Sequence, residues 1–353
     1  MYSIKQSESV RSVSALDKIK KWWAAIRPSK RRLAQLYCAI LYNANIKGFL
    51  NGTIYSGPSK AVCVPGLNCY SCPGAVGACP LGALQNAVAS SGARAGTYVI
   101  GILMLFGVIL GRTVCGWLCP FGMLQELLYK IPVPKIPKSR ITRVLSYLKY
   151  VILLLFVIMI PLWAGLKKMP LPAFCKYICP AGTLEGAGPL LMSSNNSGLF
   201  PLLGSLFTNK FVILAIIGLA CIFCFRSFCR FLCPLGALYG FFCRLAIIGL
   251  KVDEQKCTHC GACVNHCKMD VRHVGDHECI HCGECRGVCP AHAISWNGKH
   301  IPQCGKSAAS KPQPVFESEN QTGKKANRVF RGVLIGVLLL ALIYYNFLAP
   351  LIR

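Results

Sequence analysis

Apolar and polar stretches alternate along the chain in a way that predicts five helices able to cross or enter a bilayer. The first, over residues 33–50, is interrupted by Gln35, Asn43, Asn45 and Lys47. Polar residues at that depth face a bundle interior, or else the helix is only half inserted. The second, over 96–111, is short for a hydrocarbon core of ~30 Å. The third covers 147–165, the fourth 211–225 and the last 333–351. A further apolar run, 235–250, is expected to lie along the membrane or dip into it. Residues 1–32 read as a basic interfacial anchor, with Lys18, Lys20, Lys21, Arg27, Lys30, Arg31 and Arg32 around Trp22 and Trp23. No apolar core with a small-residue cleavage site follows the early charges, so a cleaved leader is not expected. The chain thus divides into an anchor (1–32), a bundle (33–250), a polar segment (251–300), a linker rich in Lys, Ser, Gln and Pro (301–328) and a closing transmembrane helix (329–353).

Composition agrees with an α-helical integral membrane protein: hydrophobic residues make up 54% of the chain and charged ones 14%. The net charge of +27 raises the question of nucleic acid. Segment 251–300 holds six basic and six acidic residues, so the surplus belongs to the membrane part and its flanks, and nucleic acid is not an expected partner. Lys130, Lys135, Lys138, Arg140, Arg143 and Lys149 precede the third span; Lys324, Lys325, Arg328 and Arg331 precede the last. The positive-inside rule places both groups, the N-terminus and segment 251–300 in the cytoplasm, with Arg353 outside. The loop Cys63 to Cys79 and the loop of Cys175 and Cys179 then fall on the opposite face.

Twenty-three cysteines change the picture most. Within 251–300, Cys257, Cys260, Cys263 and Cys267 are followed by Cys279, Cys282, Cys285 and Cys289, each quartet spaced C-x2-C-x2-C-x3-C. That spacing wraps three thiolates round one iron–sulfur cluster and sends the fourth to its neighbour. One 4Fe-4S cluster is expected on Cys257, Cys260, Cys263 and Cys289, the other on Cys279, Cys282, Cys285 and Cys267. Zinc knuckles or a disulfide staple fit two identical quartets poorly. Pro290 follows Cys289, but Lys268 follows Cys267. All seven histidines lie between His259 and His300, and no C-x2-C precedes a His, so no haem is expected.

The other cysteines form a fourfold repeat, C-P-x-G-x-L, starting at Cys79, Cys119, Cys179 and Cys233. In the last three copies another cysteine, Cys115, Cys175 or Cys229, stands four residues earlier. Proline after cysteine starts a helix, so each thiolate would sit at a helix N-terminus, which favours an anionic cluster. One or two further 4Fe-4S clusters are therefore expected in the bundle. Cys115 and Cys119 would join Cys229 and Cys233 on the cytoplasmic side. Cys175 and Cys179 would join Cys72 and Cys79 on the other, with Cys69 and Cys63 as competing ligands. Reactive or packing thiols are the plainer alternative. Cys221 and Cys224 read as packing, and Cys38, Cys243 and Cys304 as unligated. Glu126 and Glu185, the only acids between residues 18 and 252, read either as proton handlers for a quinone or as partners of nearby cations.

The twin quartets, the C-x3-C-P pairs after spans two and four and the run Leu67-Asn68-Cys69-Tyr70-Ser71-Cys72-Pro73 resemble the NapH/NosR-type membrane polyferredoxins over roughly residues 33–295. The resemblance implies an inner-membrane, multi-pass electron carrier of bacteria or archaea: an internally repeated helical bundle with a cytoplasmic bacterial-type 2[4Fe-4S] ferredoxin domain. The chain departs from the family in having no segment long enough for the flavin domain of the NosR branch, and in adding a final span and the Cys175/Cys179 pair. Together these point to a relay from a cytoplasmic ferredoxin-like or flavin donor to a separate extracytoplasmic redox partner, a flavin protein being one candidate. It would be a carrier or an oxidoreductase subunit rather than a stand-alone enzyme. The alternatives are a quinol dehydrogenase subunit feeding a respiratory reductase and a redox-sensing membrane protein.

Overall fold

The computed structural model describes residues 29–90, 93–193, 196, 198 and 203–296. Residues 1–28 of the N-terminal anchor, Cys304, the linker and the last apolar stretch lie outside them. Ser29 caps the first helix, α1 (Lys30–Tyr42), its hydroxyl accepting from the Arg32 amide. A short second helix, α2 (Ile46–Asn51), follows. The single span expected over 33–50 is therefore broken, and the cause is its asparagines. Asn43 donates to the Ala39 carbonyl and to Asn68, and Asn45 to the Pro73 carbonyl, so both side-chain NH2 groups find carbonyl partners where the helix stops.

Three long helices run between the two ends of the bundle: α4 (Ala93–Leu110), α6 (Arg140–Leu166) and α9 (Ser205–Phe223). α6 and α9 are long and apolar enough to cross a membrane, at about 40 and 28 Å for 1.5 Å per residue, whereas the apolar part of α4, Gly96–Ile109, is shorter. Ile100, Met104 and Leu105 on α4, and Val151, Leu154 and Ile158 on α6, point outward and remain exposed, as lipid-facing side chains do. A capping box of Ser139 and Thr142 opens α6.

Short helices fill the ends. At one end α3 (Pro80–Ala89), α7 (Ala173–Tyr177) and a π-helical turn, Gly182–Ala187, running into α8 (Gly188–Met192), pack near the end of α6 and the start of α9. At the other, α5 (Pro120–Tyr129), α10 (Ser227–Phe231) and α11 (Pro234–Phe242) pack near the start of α6 and the end of α9. Both α3 and α11 reach the middle of α6, Leu153–Met159, so the two ends approach each other inside the bundle. After α11 the run 235–250 leaves the helix, and its Ile247 and Ile248 amides bond to the Val108 and Ile109 carbonyls. It thereby satisfies the open carbonyls at the end of α4.

Segment 251–296 folds as a small module. β1 (Lys251–Val252) pairs antiparallel with β2 (Ile294–Ser295), in register Lys251 to Ser295 and Val252 to Ile294. The two cysteine quartets adopt the same turn: His259 and His281 have φ of 51° and 49°, and Gly261 and Gly283 have φ of 72° and 85°. These two glycines cap α12 (Ala262–His266) and the turn Glu284–Gly287, where a left-handed backbone favours glycine.

Buried charges hold the module to the bundle. Glu278 accepts from Arg112 at 2.7 Å and pairs with Lys149 through its other oxygen, and Asp270 accepts from Arg230 Nε at 2.8 Å. Trp117 donates to the His281 carbonyl at 2.9 Å and meets Trp296 edge to face. Gly116 lies so close that a Cβ there would stand 2.1 Å from the Ile280 carbonyl oxygen. Gly116→Ala is therefore expected to force the two segments apart and to destabilise the protein by about 1–3 kcal/mol. A thermal melt, with alkylation rates of Cys279 and Cys282, checks this.

Candidate functional site

The C-P-x-G repeat has one local geometry in all four copies. Each proline occupies the first turn of a helix that follows the cysteine, and the amide of Gly82, Gly122, Gly182 or Gly236 lies beside the thiol of Cys79, Cys119, Cys179 or Cys233, closing to a hydrogen bond of 3.4 Å between Gly236 and Cys233. At two copies glycine serves for room rather than for its dihedrals: a Cβ on Gly122 or Gly236 would crowd the Cys115 or Cys229 carbonyl at 3.1 or 3.3 Å.

At the end nearer the module, the π-helical turn Val114–Leu118 carries Cys115, Cys119 caps α5, α10 carries Cys229 and Cys233 caps α11. All four are buried and are mutual electrostatic neighbours, so the structure brings together the four residues expected there. At the other end a cavity of about 410 Å³ is lined by Cys69, Cys79, Cys175 and Cys179, with Asn68, Tyr70, Phe207, Lys176 and Lys210. Cys72, expected as the fourth member, does not line it, and Cys69 stands in its place. A tight turn explains the exchange: the Cys72 amide bonds back to the Cys69 carbonyl at 3.0 Å and the Ala75 amide to the Cys72 carbonyl at 3.1 Å, so the chain turns back at Cys72, off the cavity wall. Cys63 neighbours Cys79 but also lies off the cavity wall.

The donor set suits an anionic cluster. Four thiols face one space, the Gln85 side-chain amide donates to one of them, Cys175, at 3.2 Å, and the buried Asn68 Nδ2 at the cavity has no partner among the described residues. Among those residues no three His, Cys, Asp or Glu side chains close on a single metal ion.

One run of backbone joins the two bundle sites. The Leu67 amide lies beside the Cys119 thiol, and the next amide, Asn68, beside the Cys79 thiol. A Cβ on Gly66 would stand 3.2 Å from Cys119 Cα, and Tyr239 of α11 holds the run by donating to the Pro65 carbonyl at 2.9 Å. The loop expected to stay on the far face thus reaches the near site. On the module side, Cys267, Cys279, Cys282 and Cys285 surround a second small pocket that Cys263 also lines. Cys263 is in turn the electrostatic neighbour of Cys257 and Cys260. Cys260 is exposed.

The two bundle acids differ. Glu126 receives both Arg31 nitrogens at 2.7 Å and Arg226 Nε at 2.8 Å. Burial pushes its carboxyl up, but Arg226 and Arg31 outweigh that and hold it below the ordinary value of 4.5. A lowered carboxylate contributes stability that is complete above the unfolded value and lost as pH falls through the folded one. Hydrogen-exchange protection of α1 should accordingly hold down to about pH 4.5 and decline below it. Glu185 accepts the Cys69 amide at 2.8 Å, and burial pushes it up to about 7. His281, buried and flanked by Arg112 and Lys251, is lowered to about 4; its Nδ1 accepts the Leu250 amide and its Nε2 meets the Cys243 thiol at 3.2 Å. Cys221 bonds Ser227 at 3.0 Å, and Cys224 accepts from Arg230 at 3.4 Å.

Models of 4Fe-4S binding domains match residues 95–139, 150–186 and 209–250, and a second such model matches 250–273. An uncharacterized protein of Methanocaldococcus jannaschii is 32% identical over half of this chain and 58% of its own length. The methylamine utilization ferredoxin-type protein MauN of Methylorubrum extorquens is 26% identical over 70% of this chain and 75% of its own. The regulatory protein NosR of Stutzerimonas stutzeri is 30% identical over 51% of this chain but only 24% of its own. The matched region thus spans little more than half of the archaeal relative and a quarter of NosR. No solved structure matches the chain.

Proposed function

Since the chain belongs with the NapH/NosR-type 4Fe-4S membrane polyferredoxins, we propose that it relays single electrons across the cytoplasmic membrane, from a low-potential donor at the module to an extracytoplasmic acceptor. Four cysteine sets would hold the carriers. Cys257, Cys260, Cys263 and Cys289 form the first, and Cys279, Cys282, Cys285 and Cys267 the second. Cys115, Cys119, Cys229 and Cys233 form the third, and Cys69, Cys79, Cys175 and Cys179 the fourth. A 4Fe-4S cluster held there supplies reversible one-electron chemistry.

The residues of the chain bring these sites together and keep water out. The observation that carries the reading is the run Gly66–Cys69, which packs against Cys119 at one end and supplies Cys69 to the cavity at the other. Sites at the two faces of a ~30 Å core would stand far apart, and this run brings them to within a few residues of each other. Gly116 and Trp117 make the corresponding contact between the third set and the second. The exposed Cys260 marks an entry, and the cavity beside Tyr70, Phe207 and Lys176 marks an exit. Because Glu126 is held by two arginines, a proton-handling role for it is disfavoured.

The test is a proteoliposome with the module outward and an electron acceptor enclosed. A soluble low-potential donor should reduce the enclosed acceptor, and Cys175→Ser should abolish this while the module clusters still reduce. Transfer unchanged by Cys175→Ser would sink the relay. Cluster reduction by quinol alone would replace it with the quinol dehydrogenase reading.

A further inference from the structure

We infer that Gln85 and Gln125 are positioning residues that each donate a hydrogen bond to one cluster thiolate of the bundle, and so raise the reduction potential there. The inference rests on the relay reading, since it needs clusters on the third and fourth cysteine sets. It starts from a position that the repeat leaves unexplained, six residues after each C-P cysteine: Gln85, Gln125, Glu185 and Tyr239.

The two glutamines make the same bonds at the two sites. Gln85 Nε2 lies 3.2 Å from Cys175 Sγ, and its Oε1 accepts the Phe174 amide at 2.9 Å. Gln125 Nε2 lies 3.0 Å from Cys229 Sγ, and its Oε1 accepts the Phe228 amide at 3.1 Å. Each Nε2 also reaches the carbonyl one turn back, Leu81 or Phe121. Both side chains are fully buried, at 0% and 1% exposure. The backbone amide settles which end of each glutamine is oxygen, so the other end must present N–H to sulfur. Phe174-Cys175 and Phe228-Cys229 hold the same place in their own repeat copies, so copy one serves copy three as copy two serves copy four.

The other two copies use this position differently. Glu185 accepts the Cys69 amide and Tyr239 donates to the Pro65 carbonyl, so both hold the run that joins the sites. Gln85 and Gln125 instead bond to sulfur itself. Reduction adds one electron and one negative charge to the cluster, with no bond made or broken. An N–H directed at a ligand sulfur favours that charge, and hydrogen bonds to sulfur are an established control of cluster potential.

The experiment is an anaerobic redox titration followed by electron paramagnetic resonance, with iron counted on the same samples, for the wild type, Gln85→Met and Gln125→Met. Methionine keeps the length and removes the donor. Each variant should keep its iron and move one bundle signal, a different one in each, to lower potential. A tenfold change in the reduced-to-oxidised ratio at fixed potential corresponds to ~59 mV for a one-electron couple, and a shift of that order is expected. The module signals should not move. Where methionine prevents assembly, Gln→Glu at the same position keeps an oxygen for the phenylalanine amide, and its signal should also fall. Full iron with unmoved midpoints would overturn the assignment and leave the glutamines as helix-packing residues. A wild-type count near eight irons would instead remove the bundle clusters, and the relay with them.

Discussion

Replacing Cys69 with serine is expected to remove roughly four irons per chain, while replacing Cys72 leaves the iron count unchanged. The two cysteines are three residues apart in one loop, and both are largely shielded from solvent. Only Cys69 lines the cavity with Cys79, Cys175 and Cys179. Cys72 lies off the cavity wall, within a back-bonded turn in which its amide donates to the Cys69 carbonyl and its carbonyl accepts the Ala75 amide. The effect of Cys69→Ser should extend past its own site. Its neighbours Gly66, Leu67 and Asn68 lie against Cys119 and Cys79, so a loosened run also weakens the link between the bundle sites. Iron and acid-labile sulfide on the two purified variants decide the matter; equal loss in both would place Cys72 among the ligands.

Glu278→Ala should release the module from the bundle. The substitution strands Arg112 and Lys149, both at 0% exposure, without their shared carboxylate. Breaking a buried ion pair from one side costs about 3–5 kcal/mol, because the remaining charge is left uncompensated. Here two charges are left, although Arg112 keeps the His277 carbonyl at 2.7 Å. Glu278→Gln, which retains an acceptor, should lose less. Hydrogen exchange over residues 276–285 reads the release directly, and the module clusters should still assemble, because Glu278 ligates nothing in this account. Unchanged protection would mean that the Trp117 and Gly116 contacts suffice alone.

What the sequence made legible follows the range of the interactions. The module quartets are local, and their shared turn, with a histidine and then a glycine at positive φ, repeats within 22 residues. The C-P-x-G copies were visible because helix capping is local too; their grouping into Cys115, Cys119, Cys229 and Cys233 followed from placing alternate copies at the same end. The fourth outer residue was not legible. Cys63, Cys69 and Cys72 are equivalent by spacing, and only the back-bonded turn at Cys69 to Cys72 separates them. The break in the first expected span depends on carbonyl partners, Ala39 and Pro73, that side-chain hydropathy does not record. Leu67-Asn68 belongs to a run that carries the resemblance, but nothing in it points to Cys119; that approach exists only once α5 and α11 have been brought together. The glutamines at 85 and 125 could have been noticed as a repeated residue six places after cysteine, but their sulfur partners lie 90 and 104 residues away.

Iron and acid-labile sulfide per chain on anaerobically purified protein, with electron paramagnetic resonance of the same fully reduced sample, decide whether the chain holds a continuous set of four clusters. About sixteen irons are expected, roughly four for each cysteine set, with signals broadened by coupling between neighbouring clusters. A count near eight, with only the module signals present, would contradict it.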